Sequence, residues 1–122
     1  MTRRYSVAEA QALLPELRER VPRIRASRRT LLVSASRIRD AVDAEGGGVD
    51  GGRPYWEAQR TLREEIERLA ALDVLLRDSD PALVDFPSER DGEPIYLCWR
   101  EPEETVAWWH PVDTGYAGRR PL

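Results

Sequence analysis

The chain has 122 residues, 41% hydrophobic and 34% charged, so it is long enough for one domain with a buried core and too short for two. Its single cysteine and single histidine exclude an internal disulfide and every metal motif built from several histidines or four cysteines. All 19 basic residues are arginine, which excludes chemistry that needs lysine, such as Schiff-base formation. No apolar run is long enough to span a membrane and no signal-type segment is visible, so we expect a cytoplasmic protein.

Residues 6–44 are predicted to form a helical arm. Ser6 and Glu9 have the spacing of a capping box, in which each side chain bonds to the other residue's backbone N–H. Since a proline inside a helix loses one backbone hydrogen bond and clashes with the preceding turn, we expect breaks near Pro15 and Pro22. A stripe of residues in alternating steps of three and four is typical of a coiled-coil seam. The stripe comprises Val7, Ala10, Leu14, Leu17, Val21, Ile24, Arg28, Leu31, Ala35, Ile38 and Val42.

A glycine-rich loop at 45–53 separates this arm from a second one. Pro54 is favourable in the first turn of a helix, and apolar residues recur at helical spacing after it, so a second helical arm is predicted over 54–77. Two amphipathic helices joined by a short loop form an antiparallel hairpin. We expect the helical seam to hold a second copy of the chain, which would make the protein a homodimer.

The C-terminal third, residues 80–122, is predicted to be a β-meander followed by an irregular tail. Asp91 and Gly92 form a turn dipeptide between two of its strands. Because so small a sheet is not stable alone, its apolar face is expected to pack on the helical hairpin. The predicted fold class is therefore α+β: a long antiparallel helical hairpin with a small C-terminal three-stranded antiparallel sheet, in one domain spanning 1–122. The three predicted strands are 82–86, 94–100 and 105–110.

Reactive and aromatic residues are concentrated in this C-terminal third, which includes three of the four tryptophans and the only cysteine and histidine. Arginines of this segment could clamp a carboxylate or phosphate, or could form salt bridges with acids nearby in the sequence. The tryptophans have a second interpretation, since a small sheet can fill its core with them. The candidate ligand-binding residues are Asp85, Cys98, Arg100, Glu103, Trp109, His110 and Arg119.

The orientation of Cys98 relative to His110 depends on the register of two strands. If the turn is formed by Pro102 and Glu103, Ile95 lies opposite His110, and the cysteine and histidine point to opposite faces of the sheet. A turn longer or shorter by one residue would bring both to the same face. We favour the first register. It leaves the cysteine as a small buried side chain and argues against a shared metal site or a Cys–His nucleophilic pair.

The first arm is rich in arginine, which raises the question of nucleic-acid binding. The arginines spread around the helix, and the chain is acidic overall, with a net charge of −3 and an isoelectric point of about 5.3. A nucleic-acid-binding domain usually has one basic face and a high isoelectric point, so this function is not favoured. We expect the arginines to pair with acids such as Glu64, Glu65 and Glu67 and with acids of the C-terminal third, within the chain or across the dimer.

Five short motifs occur in an order that resembles a known family. They are SVAEAQALLPEL at 6–17, DFPSERDG at 85–92, YLCWREPEE at 96–104, AWWH at 107–110 and GYAGRRPL at 115–122. Over essentially its full length the chain resembles the bacterial domain of unknown function 2203 family, departing from its pattern at Pro102, where a glycine is common. The resemblance implies the architecture and no activity. It also implies that Asp85, Cys98, Glu103, His110 and Arg119 are a recurrent set.

These features predict a non-enzymatic ligand-binding or protein-interaction module with its site on the C-terminal sheet. Its small-molecule or protein partner is unknown, and no catalytic residue, metal ligand or cofactor is assigned. The alternative is a metal- or cofactor-binding protein, with or without enzymatic activity, that uses Cys98, His110 and a carboxylate from Asp85 or Glu103. A third hypothesis, a hydrolase or transferase acting through Cys98, requires a base beside the thiol and a lowered thiol pKa.

Overall fold

The computed structural model describes residues 3–45 and 52–122, which form two long helices followed by a five-stranded antiparallel sheet. Helix α1 spans Val7–Glu45 and helix α2 spans Gly52–Ala71; most of the predicted loop, 46–51, lies outside the described residues. Among the described residues, no helix combines the length and apolar character that crossing a membrane requires. The strands β1 to β5 lie across the sheet in chain order: Leu75–Ser79, Ala82–Arg90, Glu93–Arg100, Trp108–Pro111 and Arg120–Pro121.

The α+β class is confirmed, but the sheet is larger than the three strands predicted. The first predicted strand, 82–86, continues to Arg90 as β2. The tail, predicted to be irregular, contains a single 3₁₀ turn at Tyr116–Gly118 and then the short strand β5. Strand β5 pairs with β4, and this pairing satisfies backbone groups that would otherwise form an open edge of the sheet.

Helix α1 begins as predicted and does not break. Glu9 donates its backbone N–H to Ser6 Oγ at 3.1 Å, and Ser6 donates its own to Glu9 Oε1 at 3.0 Å, which completes the capping box. The helix then continues through Pro15 and Pro22, so the predicted breaks are wrong. Burial of the apolar stripe offsets the lost hydrogen bonds. The stripe residues that are at most 1% exposed are Ala10, Leu14, Leu17, Val21 and Ile24.

The second arm ends six residues earlier than predicted, because the segment assigned to its last turns forms β1 instead. Asp73 has a φ of 58°, in the left-handed region that ends a helix locally. The N–H of Val74 then bonds back to the carbonyl of Leu69 at 3.1 Å, as at many helix C-termini. Leucine spacing alone could not reveal this stop, since Leu75 and Leu76 continue the apolar run.

One face of the sheet packs on the helices and forms the core. Trp99 is 1% exposed there, and its Nε1 donates to the carbonyl of Glu103 at 2.7 Å. Side chains alternate along a strand, so a second set of residues lies on the opposite face of the sheet, the outer face. The core face carries Val84, Phe86, Ile95, Leu97 and Trp99; the outer face carries Asp85, Tyr96, Cys98, Trp108 and His110.

The register between β3 and β4 differs from the prediction by one residue. Tyr96, and not Ile95, lies opposite His110. The prediction that Cys98 and His110 point to opposite faces is therefore wrong, since a one-residue shift reverses every side chain of a strand. The register differs because of the segment that connects β3 to β4. In this segment Val106 is buried in the core, and its N–H bonds to a side chain of α1 instead of to β3.

Arginines of α1 bond to acids of the same chain, as predicted. Glu65 is buried between the helices and accepts hydrogen bonds from Arg20 at 2.8 Å and Arg23 at 3.4 Å. Arg25 bonds to Glu101, in the connection after β3. The buried half of the seam is thus used within the chain, and the homodimer stays a prediction.

Glu16 joins the two helices and should contribute to stability in a pH-dependent way. Its carboxylate accepts hydrogen bonds from Arg68 at 3.0 Å and Arg20 at 2.8 Å, which lower its pKa in the folded state. A lowered folded pKa stabilises the protein above the unfolded pKa, and this contribution is lost as the pH falls through the folded pKa. We expect Glu16→Gln to lower the free energy of unfolding at neutral pH by about 0.5–1 kcal/mol. Urea titration should show a smaller difference at acid pH; an equal difference at both would contradict the assignment.

Candidate functional site

Asp85, Cys98 and His110 form a buried polar cluster on the outer face. They come from three neighbouring strands, β2, β3 and β4, with Asp85 directly opposite Cys98. A carboxylate oxygen, the Sγ atom and a ring nitrogen all lie within 4.8 Å of one another. The three residues are 2%, 0% and 1% exposed, respectively. Polar groups this deeply buried destabilise a fold unless they are paired, so their partners decide what the cluster can do.

Asp85 is held from two sides. Its Oδ1 lies 3.0 Å from His110 Nε2, and its Oδ2 accepts a hydrogen bond from Arg77 Nε, also at 3.0 Å. Arg77 lies on β1 at an irregularity in the pairing with β2. Its guanidinium also lies over the ring of Tyr96, 5.3 Å from the ring centre. The carboxylate is therefore fixed in orientation by an arginine from the edge of the sheet.

His110 has acceptors at both ring nitrogens. Nδ1 lies 2.7 Å from the carbonyl oxygen of Pro111, which only accepts, so Nδ1 carries the hydrogen. In the neutral ring Nε2 then has a lone pair, and it faces an oxygen of Asp85 at 3.0 Å. Two acceptors at this distance require a proton or a metal cation between them. A histidine oriented by an Nδ1–H bond to a backbone carbonyl, with Nε2 free to coordinate, is the usual arrangement of a metal ligand.

The C-terminal tail fixes the carbonyl that orients the histidine. Pro111 O also accepts hydrogen bonds from the backbone N–H and the hydroxyl of Thr114, both at 3.3 Å. The turn closes at Gly118, where a Cβ atom would lie 2.2 Å from Thr114 Oγ1 and 2.4 Å from its Cβ. No residue with a side chain fits this position without moving the turn. The tail glycine is therefore a requirement of the geometry around His110.

The thiol of Cys98 is not activated as a nucleophile. Burial and the nearby charge of Asp85 raise its pKa to about 12, while the charge of Arg119 acts in the opposite direction. Such a thiol is protonated at neutral pH, whereas reactive cysteines have lowered pKa values. The raised pKa therefore gives no support to the third hypothesis, a hydrolase or transferase that acts through Cys98. Metal coordination would change this state, because a coordinating thiol is deprotonated.

Arg119 and Glu103 lie beside the cluster, on the side of Cys98. Arg119 Nη2 donates to Glu103 Oε1 at 2.6 Å and to the carbonyl of Cys98 at 3.4 Å. Its guanidinium carbon lies 5.0 Å from the ring centre of Trp108 and 4.9 Å from that of Tyr116. The five residues implied by the family resemblance thus form one connected group, although they come from four separate segments of the sequence.

Comparison with known proteins finds one family whose sequences match this chain. The profile of a family described as "Uncharacterized conserved protein (DUF2203)" matches residues 3–122. The chain belongs to this family. No curated protein and no solved structure matches it significantly. The family description states no activity, and the buried cluster is the feature of this DUF2203 protein that bears on its function.

The side chains of two predicted site residues do not belong to this connected group of five. Trp109 points to the core face, where it lies between Arg90 and Arg120 at 4.7 and 5.2 Å from its ring centre. Arg100 reaches Glu103 only through its backbone N–H, at 2.6 Å. The outer-face residues that the sequence interpretation missed are Arg77, Tyr96, Trp108 and Tyr116. The predicted second arm includes Arg77 as a helical residue. The predicted register, with Ile95 opposite His110, places Trp108 on the core face, so the correct register reveals the tryptophan.

Proposed function

We propose that this protein is a metal-binding protein that holds one divalent transition-metal ion between Asp85, Cys98 and His110. The observation that carries the proposal is the contact between His110 Nε2 and Asp85 Oδ1. At 3.0 Å, with Nδ1 bonded to a carbonyl, this contact needs a cation or a proton between the two atoms. The thiol is the third donor within 4.8 Å.

The donor set favours zinc. Thiolate and imidazole select zinc and other transition metals, whereas magnesium and calcium prefer sites made of oxygen atoms alone. In a tetrahedral zinc site, nitrogen and oxygen ligands lie about 3.3 Å apart, given metal–ligand distances near 2.0 Å. The separation of 3.0 Å between His110 Nε2 and Asp85 Oδ1 is a few tenths of an ångström from that value.

The surrounding residues have the character of an outer coordination shell. Arg77 bonds to the carboxylate oxygen of Asp85 that does not face His110, and Pro111 O holds the ring of His110. Such partners orient ligands and are typical of natural metal sites. All three ligands lie on strands, which hold them more precisely than loops would. Three protein ligands leave a fourth position, the arrangement typical of catalytic rather than structural zinc.

The metal interpretation has more specific support than the interaction module. In the register of β4, Cys98 and His110 share one face of the sheet, whereas the predicted register places them on opposite faces. Binding at the sheet remains common to both hypotheses. Trp109 adds nothing to the cluster, because it points to the core face, and Arg100 contacts the ring of Tyr116, 5.7 Å from its centre.

Equilibrium dialysis against Zn²⁺, followed by elemental analysis and native mass spectrometry, tests the proposal. We expect one zinc ion per chain for the wild-type protein. His110→Ala and Cys98→Ser should bind zinc more than about 100-fold more weakly, since loss of even an outer-shell partner costs about 10- to 100-fold. Asp113→Asn changes an exposed acid outside the cluster and is the matched control.

Two results would overturn the proposal. One is a wild-type protein that retains no zinc at micromolar free concentration. The other is a His110→Ala protein that folds, as judged by circular dichroism, and retains zinc as tightly as the wild type. In the second case the ion would lie elsewhere in the chain.

A further inference from the structure

We propose that the metal ion in the Asp85–Cys98–His110 cluster binds a small oxyanion at its fourth position, and that Arg119 recognises this anion. The ligand class is a carboxylate or phosphate small enough for a buried site. This inference rests on the proposed metal-binding function and names the ligand of the same site.

The state of the Arg119 side chain points to a missing acceptor. The side chain is only 10% exposed, and its Nε is buried without a hydrogen-bond acceptor among the described residues. Burying a donor of a charged group without an acceptor destabilises the protein, by more than for a neutral group. Glu103 and the carbonyl of Cys98 are both bonded to Nη2, and Tyr116, whose side chain also interacts with the guanidinium, leaves Nε without an acceptor.

Arg119 contacts the backbone of one of the three ligand residues. Its Nη2 lies 3.4 Å from the carbonyl oxygen of Cys98, a residue that also supplies one of the three donor atoms. An oxyanion with one oxygen on the metal could direct a second oxygen to Nε, since arginine N–H groups donate strong, charge-assisted hydrogen bonds to carboxylate and phosphate oxygens.

The charges of the site also call for an anion. A divalent metal is balanced by the carboxylate of Asp85 and the thiolate of Cys98. Glu103 balances the charge of Arg119 through their ion pair at 2.6 Å. The charge of Arg77 is left without a counter-charge of its own, because the charge of its partner Asp85 already balances the metal. The metal-loaded site thus has an excess of one positive charge, carried by Arg77, whose side chain is 46% exposed at the edge of the sheet. One bound monoanion neutralises this excess, and the excess charge attracts it.

The preferred probe is the Co²⁺-substituted protein, whose visible absorption reports changes in the coordination of the metal. Acetate and inorganic phosphate are titrated separately, so that carboxylate and phosphate ligands are distinguished. We expect at least one of them to change the spectrum with saturation below about 10 mM, and Arg119→Gln to weaken that anion at least tenfold while Co²⁺ stays bound. Arg120→Gln is the matched control, because this neighbouring arginine lies against Trp109 on the other face of the sheet.

The outcomes separate the two proposals. If no Co²⁺ binds to the wild-type protein, the metal proposal itself fails. If Co²⁺ binds and neither anion changes the spectrum, the oxyanion inference fails and the metal proposal stands. Equal anion affinity in the wild type and Arg119→Gln removes Arg119 from the site. Should that variant not fold, Arg119→Lys replaces it; Lys keeps the charge without the Nε donor, and an unchanged affinity would likewise overturn the role of Arg119.

Discussion

Zinc at a free concentration about 100 times its dissociation constant is expected to raise the free energy of unfolding by about 2.7 kcal/mol. The reason is that only the folded sheet brings Asp85, Cys98 and His110 within 4.8 Å of one another. The unfolded chain has no such site, so binding shifts the equilibrium toward the folded state. Guanidinium chloride titrations with and without zinc measure the increment directly.

Asp85→Asn should remove this zinc increment while keeping the shape of the side chain. The comparison is made within each variant, because the substitution also leaves Arg77 without its anionic partner and lowers the stability of the metal-free protein. Mg²⁺ in place of zinc should give no increment in the wild type, since magnesium prefers oxygen ligands. A zinc increment of equal size in Asp85→Asn and in the control Asp113→Asn would contradict the assignment of Asp85 as a ligand.

Trp99→Ala is expected to lower the free energy of unfolding by about 3–5 kcal/mol, the range for removal of a large buried aromatic side chain. Trp99 is 1% exposed, and it belongs to the cluster of side chains between the helices and the core face. The substitution also removes the hydrogen bond from its Nε1 to the carbonyl of Glu103. Since a domain of this size has a total stability of about 5–15 kcal/mol, the loss should be large in any denaturation curve.

Trp56 provides the matched control for this prediction. It lies on α2, is 58% exposed and contacts Tyr55 edge-on at 5.1 Å between ring centres. Trp56→Ala should change the free energy of unfolding by no more than about 0.5 kcal/mol. If Trp99→Ala does not fold, Trp99→Phe gives the same comparison with a smaller loss. Equal losses for the two tryptophans would show that the core face is not where the structure has it.

The α-helical half of the molecule could be predicted from local rules. The Ser6–Glu9 capping box is a signal that depends on residues within one turn, and it is present as predicted. The apolar stripe is buried from Ala10 to Ile24, whereas Val7 is 44% exposed and the side chains of Ile38 and Val42 lie outside the described residues. The same local rules failed at Pro15 and Pro22. There, burial of the stripe against α2 and the sheet outweighed the loss of backbone hydrogen bonds, and that burial is not a local property.

The candidate site, too, depends partly on features visible in the sequence and partly on tertiary contacts. By itself the sequence determined the class of the fold, the arginine–glutamate pairing between the helices and the concentration of reactive residues in the C-terminal third. Only the tertiary structure decided which of these residues meet. The shift of one residue in β4 brought His110 to the face of Cys98, and the early end of α2 allowed Arg77 to reach Asp85. The physical reason is that side-chain direction in a strand reverses with each residue, so a register set by distant contacts, such as that of Val106 with Gln11, determines which residues share a face.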